Sequence, residues 1–346
     1  MKSKILYVGT YTQNTGSKGI YRFDFNETTS KLALLDVCAG AINPSFLVKG
    51  RDLIFAASEL DDITSAAAYT VLADGSLEYH QNVIAEGGAT CHICLDSQGT
   101  YLLGADYLSG SVFVASTDIH GALHMLQTIQ HKEFLAGKKP HAHQIIQTPN
   151  PDCYIAVDLG HDRLYHYDMD RGKGRIKLNS LHPYTDLPSG CGPRHLAFHP
   201  NRKFAYVVTE YSNSVLAYEW KDKTGTLNLL QTVSTLPDNY IGESAAAEII
   251  ISSEGDYLYA TNRGYDSIVG YKIDQQSGQL RRIGIWSCGG QAPRHICFGP
   301  KETEIICANQ KSNAVTVIKR SKANGQLGSI VDEVYVPAPA CVLCGS

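Results

Sequence analysis

Short apolar runs separated by turn signals dominate the chain. Runs such as "KILYVGT", "AYVVTE" and "YLYATNR" are rich in β-branched and aromatic residues and are bounded by Gly, Asn, Asp or Ser. This pattern is typical of strands, and apolar residues at helical spacing are hard to find anywhere along the chain. The sequence therefore predicts an all-β protein.

A turn followed by Leu or Ile recurs seven times, as in "ADGSLEYH" and "KTGTLNLL". The copies are spaced by 45, 46, 53, 51, 53 and 47 residues, and in six of them Gly stands two residues before the apolar anchor. Gly at that place suits the positive φ of a hairpin turn between two strands. The anchors are Leu32, Leu77, Leu123, Ile176, Leu227, Leu280 and Leu327.

A second phrase recurs in step with the first, from "NPSFLVK" through "GPRHLAFHP" to "APACVLC". Each of its first six copies is followed by two more strand-like runs, so each repeat is predicted to be a four-stranded antiparallel unit. Seven such units predict a seven-bladed β-propeller. The last phrase is a lone strand, and the N-terminus supplies the three strands that it lacks. We therefore expect one domain over residues 1–346, closed by a blade shared between the two termini.

Composition fits this fold and limits the partners. The chain has 346 residues with 31 Gly and 20 Tyr but only 3 Met, which favours strands and tight turns over helices. A net charge of −4 provides no basic field for nucleic acid, so an anionic ligand must be bound by a few local cations. No run of 18 apolar residues predicts a membrane span.

Ten cysteines raise the question of metal or redox chemistry. "CHIC" at 91–94 and "CVLC" at 341–344 have the CxxC spacing, but both lie in predicted strands, where residues three apart point to opposite faces. We interpret these cysteines as small core thiols. The N-terminus has no long apolar segment and no cleavage site, so we expect a cytoplasmic, reduced protein.

Two rings of side chains are predicted around one end of the central channel. Aligning the second phrase places four histidines and a carboxylate in one ring, which consists of Phe46, His92, His143, His195, Glu248, His295 and Cys341. Arg194 and Arg294 stand one residue earlier. The ends of the second strands form the other ring, with Glu59, Tyr107, Leu159, Glu210, Arg263 and Gln310, completed by Thr10 or Tyr11. These groups are expected to converge on a concave site.

The chain resembles a known family at this point. The segments "GCGPRHLAFHPNRKFAYVVTEYSNSV" and "LPDNYIGESAAAEIIISSEGDYLYATNRGYDSI" are similar to the seven-bladed β-propeller lactonase family, as are "ILYVGTYTQNTGSKGIYRFDF" and "PHAHQIIQTPNPDCYIAVDLGHDRLY". The resemblance covers essentially the whole chain. It implies that His143 in "PHAHQ", Arg194 in "GPRH", Glu210 in "TEY" and Arg263 in "NRG" form the active site. The chain departs from the family pattern at His295 and Glu248, and both changes bear on ligand preference.

The resemblance implies hydrolysis of a small anionic sugar-acid lactone, with 6-phosphogluconolactone of the pentose phosphate pathway as the first candidate. Either Glu210 or His143 would be the base that activates water, with the other as an acid or orienting group. Arg194 would stabilise the oxyanion or a carboxylate. The expected substrate-binding residues are Arg263, His195, His92, Arg294 and His295. No cofactor is expected, and no metal, because Arg repels a cation. A monomer or a weak homodimer is expected.

Alternatives stay open from the sequence. The substrate can instead carry a carboxylate, as in muconolactone-like compounds, since Arg binds either anion. A propeller can also serve as a non-catalytic binding platform. No G-x-S-x-G elbow indicates a serine hydrolase. Among single residues, His199 in "FHP" is interpreted as a structural turn residue, and a structural role is favoured for Glu59, Tyr107 and Gln310. Arg294 is a candidate partner for Glu248 or a neighbouring acid.

Overall fold

The computed structural model describes residues 4–132 and 137–345, and these contain 29 strands and no helix. The predicted domain of 1–346 includes residues 1–3, 133–136 and 346, which lie outside the described residues. The strands form seven antiparallel sheets, six with four strands and one with five. The predicted all-β, seven-bladed propeller is confirmed.

Each sheet is one blade, and the first strand named below for each blade is its innermost strand. Blade 1 consists of β29 (Pro339–Cys344), β1 (Lys4–Thr10), β2 (Ile20–Asn26) and β3 (Lys31–Cys38). Blade 2 consists of β4 (Pro44–Lys49), β5 (Leu53–Ser58), β6 (Ile63–Val71) and β7 (Leu77–Glu86). Blade 3 consists of β8 (Thr90–Leu95), β9 (Tyr101–Asp106), β10 (Ser111–Thr117) and β11 (Leu123–Gln130).

The remaining four blades follow in chain order. Blade 4 consists of β12 (Ala142–Gln147), β13 (Cys153–Asp158), β14 (Arg163–Asp170) and β15 (Arg175–Leu178), with β16 (Tyr184–Asp186) also paired to β14. Blade 5 consists of β17 (Pro193–Phe198), β18 (Phe204–Thr209), β19 (Ser214–Lys221) and β20 (Thr226–Ser234). Blade 6 consists of β21 (Ala245–Ile251), β22 (Tyr257–Arg263), β23 (Ser267–Ile273) and β24 (Leu280–Ser287). Blade 7 consists of β25 (Pro293–Phe298), β26 (Glu304–Asn309), β27 (Ala314–Arg320) and β28 (Leu327–Tyr335).

The repeated hairpin turn connects the third and fourth strands of its blade. The glycine two residues before the anchor has a positive φ in all six copies, from 61° at Gly174 to 83° at Gly121. In the remaining copy Ser30 takes the same conformation with φ 57°. Glycine recurs at this position because it adopts positive φ without the steric penalty of a Cβ atom.

The hydrophobic core lies between the blades. Seven clusters of buried side chains each combine residues from two neighbouring sheets, as Tyr206 and Val208 of blade 5 do with Leu258 and Val269 of blade 6. Each sheet therefore buries both faces, which explains why the second and third strands are nearly continuous apolar runs. Blade 1 is closed by antiparallel pairing of the C-terminal β29 with the N-terminal β1, as the sequence predicted.

Candidate active site

All seven innermost strands begin at the same end of the central channel, which we call the mouth. A backbone hydrogen bond repeats there. In six blades the residue after the second strand donates its N–H to the carbonyl two residues before a channel-facing position, as Glu210 does to Gly192. The donors are Tyr11, Glu59, Tyr107, Leu159, Glu210 and Gln310. In blade 6 Arg263 pairs with Ala245 in the same register. The predicted second-strand ring is confirmed, with Tyr11 completing it.

The register of the innermost strands places residues at two levels. The upper level, next to the mouth, consists of Ser45, Cys91, His143, Arg194, Ala247, Arg294 and Ala340. The lower level consists of Phe46, His92, Gln144, His195, Glu248, His295 and Cys341. In most blades a bulge at the upper residue lets it project into the channel without a partner in the ladder.

The predicted ring was wrong at one position. Ala142 pairs with Asp158 and Gln144 with Val157, as Pro193 pairs with Thr209 and His195 with Val208. His143 therefore shares the level of Arg194, and Gln144 occupies the level that the sequence alignment gave to His143. Gln144 accepts a hydrogen bond from the Leu196 N–H at 2.6 Å and joins blade 4 to blade 5. The shift moves His143 towards the mouth.

Glu210 joins two of the arginines. Its Oε2 lies 2.7 Å from Nη2 of Arg263 and 3.3 Å from Nε of Arg194. Arg194 is almost completely buried, and its Nη1 donates to the Ala247 carbonyl at 2.7 Å. Burial, with the nearby charges of Arg263 and Arg294, lowers the pKa of Arg194 to about 10. Arg194 stays charged at neutral pH, and its Nε is buried without a hydrogen bond among the described residues.

Arg294 belongs to a second ion pair across the mouth. Its Nη2 lies 3.8 Å from Oε2 of Glu59, and the same oxygen accepts a hydrogen bond from the Tyr11 hydroxyl at 2.7 Å. The Arg294 guanidinium also lies 5.2 Å from the centre of the Tyr11 ring, which is a cation–π distance. Arg294 is thus paired with a neighbouring acid rather than with Glu248, and Glu59 with Tyr11 positions it.

His143 is a neutral imidazole beside these charges. It is 5% exposed, and burial together with the charge of Arg194 holds its pKa well below the usual 6.5. Its ring contacts Tyr107 edge-on at 5.7 Å and His195 at 5.2 Å between ring centres. Nδ1 of His143 has no hydrogen-bond partner among the described residues. At neutral pH such a group can accept a proton.

The lower level fills the channel with rings. Phe46 lies 4.3 Å from His92, 6.1 Å from His195 and 5.5 Å from His295 between ring centres. Burial is the main cause that lowers the pKa of His92, His195 and His295, to about 4 for His295. Below this level the channel opens into an apolar cavity of about 680 Å³ whose walls include Ile93, Phe198 and Phe298. The predicted substrate-binding histidines 92, 195 and 295 therefore form the floor of the mouth.

An open cavity of about 860 Å³ adjoins Arg263 on the mouth side. Its lining is mostly polar and includes Ser244, Gln310 and Lys311. The predictions from the sequence did not include Lys311 or Ser244, because both lie in loops that carry no part of either repeat. The signal that points to them is their distance from a strand end at the mouth: Lys311 is the second residue after β26, and Ser244 directly precedes β21.

His199 has the contacts of a structural turn residue, as the sequence predicted. The imidazole of His199 lies 2.8 Å from the Gly255 carbonyl and accepts the Asn201 N–H, both in turns. All ten cysteines are free thiols, and the CxxC pairs lie in β8 and β29, as expected of core thiols. Within residues 4–132 and 137–345, no group of three or more His, Cys, Asp or Glu is arranged to hold a metal ion. No helix in these residues is long and apolar enough to cross a membrane.

Fold and mouth together define the class of protein. The chain matches the family described as "Lactonase, 7-bladed beta-propeller" over residues 5–344, and it belongs to that family of lactone-hydrolysing enzymes. It is 33% identical to the protein named 6-phosphogluconolactonase from Bacillus subtilis strain 168, with 99% of this chain and 98% of that protein covered.

Solved structures agree with this assignment. The periplasmic gluconolactonase PpgL from Pseudomonas aeruginosa is 28% identical and superposes with a TM-score of 0.93 over 100% of this chain and 99% of that one. A protein from Lactobacillus plantarum is 27% identical, with a TM-score of 0.91 over the full length of both chains.

Proposed function

We propose that the chain hydrolyses a phosphorylated sugar-acid lactone, with 6-phosphogluconolactone as its substrate. The observation that carries the proposal is the set of guanidinium groups at the mouth. Arg194, Arg263 and Arg294 converge there beside Glu210 and Glu59. Their fixed N–H donors can bind an anionic substrate. The name of the Bacillus subtilis relative supports the phosphorylated lactone, and that of the Pseudomonas aeruginosa structure supports a sugar lactone in general.

Arg194 is proposed to stabilise the oxyanion. When water attacks a lactone carbonyl, negative charge develops on the carbonyl oxygen, and a fixed cation in a water-poor site stabilises it most effectively. Arg194 is held in place by two contacts: its Nη1 donates to the Ala247 carbonyl, and its Nε lies 3.3 Å from Oε2 of Glu210. It is therefore preorganised before the substrate binds.

His143 is proposed to be the general base. The Glu210 carboxylate is occupied by two guanidinium groups, whereas the neutral imidazole of His143 has an unpartnered nitrogen. His143 would take a proton as water adds to the carbonyl carbon. After the ring C–O bond breaks, the imidazolium would return that proton to the leaving alkoxide oxygen. Glu210 would keep Arg194 and Arg263 aligned during both steps.

The phosphate is proposed to bind at Arg263, in the cavity of about 860 Å³ whose lining also includes Lys311 and the carboxylates Glu243 and Asp266. Asp266 accepts the N–H groups of Gly264 and Ala292. A guanidinium binds phosphate oxygens bidentately, and an ammonium group adds a point charge. The predicted cytoplasmic location, the monomeric or weakly dimeric state and the independence from metal and cofactor stay predictions.

Replacing Arg263 by Ala tests the phosphate position. We expect the KM for 6-phosphogluconolactone to rise about tenfold and the KM for unphosphorylated gluconolactone to rise less. Arg263 is the proposed phosphate ligand, and Glu210 keeps its contact with Arg194 when Arg263 is lost. Initial rates followed by pH-stat on both lactones give the comparison. Arg282→Ala is the matched control, since Arg282 forms an exposed ion pair with Asp238 on the outer strand of the same blade.

Equal rises in KM for both lactones would contradict the assigned phosphate position. Turnover of a carboxylate-bearing lactone in preference to both would instead support the other substrate class.

A further inference from the structure

Glu248 is a buried carboxylate between two histidines on the floor of the mouth. It is 5% exposed, and its Oε1 lies 3.0 Å from Nδ1 of His195. Its Oε2 lies 3.4 Å from Nε2 of His295. Burial raises the pKa of Glu248, while His295 and Arg194 oppose that rise. Glu248 has no role in the proposed reaction, although it is buried one residue below the upper level of the channel. Burying a carboxyl group costs free energy, so its position needs a physical explanation.

The neighbouring backbone donors indicate the tautomers of this group. The Val342 N–H donates to Nδ1 of His295 at 3.3 Å, so the proton of the neutral His295 ring is on Nε2 and points to Glu248. The Ile249 N–H donates to the other carboxylate oxygen at 3.0 Å. The Ile249 N–H and the Nε2–H of His295 place donors beside both oxygens of Glu248, which favours the carboxylate over the neutral acid that burial favours. With Glu248 ionised, His195 presents Nδ1–H to it at 3.0 Å, which leaves a lone pair on Nε2.

Nε2 of His195 is buried and has no hydrogen-bond partner in the described ranges. The ring of His195 lies 5.2 Å from that of His143, whose Nδ1 is also unpartnered. A proton can pass between the two rings after a small ring rotation or over one water molecule. Glu248 would orient His195 in the same way as the carboxylate of a catalytic triad orients its histidine.

We propose that Glu248 is a positioning residue for lactone hydrolysis: it holds His195 in the tautomer with a free Nε2, so that His195 receives the proton that His143 takes from the attacking water. The proton is later returned along the same path to the leaving alkoxide oxygen, so none is gained or lost. The inference rests on the proposed function. It explains how a proton is accepted beside Arg194, since the Glu248 carboxylate supplies the opposite charge.

The groups that face Glu248 come from four neighbouring strands. Strand β22 contributes only the Thr261 hydroxyl, which accepts the Glu248 N–H at 3.0 Å. The titratable and charged groups are Arg194 and His195 from β17, Arg294, His295 and Cys297 from β25, and Cys341 from β29. Among them Glu248 is the anion, so its removal leaves His195 and His295 beside Arg194 and Arg294 without a carboxylate at the lower level.

Glu248→Gln is expected to lower kcat about a hundredfold and to leave KM within about twofold, because an orienting carboxylate acts on proton transfer and not on substrate binding. The Glu248 carboxylate favours the imidazolium form of the histidines that accept the proton. Its loss therefore lowers the pKa of the coupled His143 and His195, and the acid limb of the kcat profile should move to lower pH. Glu248→Asp should restore part of the rate. The control is Glu304→Gln, which changes a buried carboxylate bonded to Lys319 at the opposite end of β26 from the mouth.

Wild-type kcat in Glu248→Gln, or an equal loss in Glu304→Gln at equal loss of Tm, would overturn the proposal. A second measurement does not depend on turnover. Imidazole ¹⁵N shifts of the wild-type protein should show His195 with its proton on Nδ1, and a proton on Nε2 would overturn the proposal. If the wild type opens no lactone while the Nδ1 tautomer is found, the proposed function fails and the assigned role of Glu248 in positioning His195 still stands.

Discussion

Arg194→Met is expected to lower kcat for lactone hydrolysis by about a hundredfold to a thousandfold, the usual cost of removing a preorganised oxyanion donor. Met has a similar length and keeps the apolar part of the contact, so the loss reports the missing charge and hydrogen bonds. The Nη1 bond to the Ala247 carbonyl and the 3.3 Å contact with Glu210 both disappear. Initial rates over a range of lactone concentrations separate kcat from KM.

The control for Arg194 is a second buried arginine. Arg320 of blade 7 is 4% exposed and bonds the Tyr259 hydroxyl and the Glu302 carbonyl, away from the channel. Arg320→Met should lower Tm but leave kcat of the folded enzyme unchanged. Arg194→Lys should recover part of the rate, since it restores the charge without the planar fork. A kcat for Arg194→Met within about threefold of wild type would contradict the assigned role.

His143→Gln is expected to lower kcat about a hundredfold or more, since a general base contributes roughly a hundredfold to ten-thousandfold. The pH profile carries a second expectation. A base acts when deprotonated, and burial with the Arg194 charge holds the pKa of His143 well below 6.5. The acid limb of kcat should therefore lie below pH 6.5 and be absent in His143→Gln.

Two comparisons make the His143 result specific. His199→Gln changes a buried histidine that bonds only turn residues, and it should leave kcat and the pH profile unchanged. Glu210→Gln should lower kcat less than His143→Gln does, with little effect on folding. If Glu210→Gln has the larger effect and removes the acid limb, then Glu210 is the base and His143 the orienting group.

The sequence predicts the fold well for a physical reason. Each blade buries both faces against its neighbours, so the same turn and the same apolar strands recur at nearly constant spacing, and the positive φ shared by Gly121 and Gly174 shows why glycine recurs with them. The closure of β1 on β29 follows from the missing strands of the last repeat. Such periodic features depend on backbone geometry, which a single sequence displays directly.

The site is less predictable because it depends on one-residue offsets and on side-chain directions. His143 was placed at the wrong level because its phrase was aligned on His, whereas the bulge after Ala142 assigns that level to Gln144. The correct register follows when the second strands of blades 4 and 5 are aligned so that Asp158 and Thr209 are equivalent positions. The pairing of Glu248 with His195 joins blades 5 and 6 and depends on rotamers, which no repeat in the sequence encodes.

The most direct test of the central claim is the opening of 6-phosphogluconolactone by the purified protein, followed by pH-stat against the spontaneous rate. We expect rapid acceleration by the wild type, a higher kcat/KM than for unphosphorylated gluconolactone, and a rate near background for the Arg194→Met/His143→Gln double variant. A wild-type rate equal to the spontaneous one for both lactones, or equal to that of the double variant, would contradict the central claim.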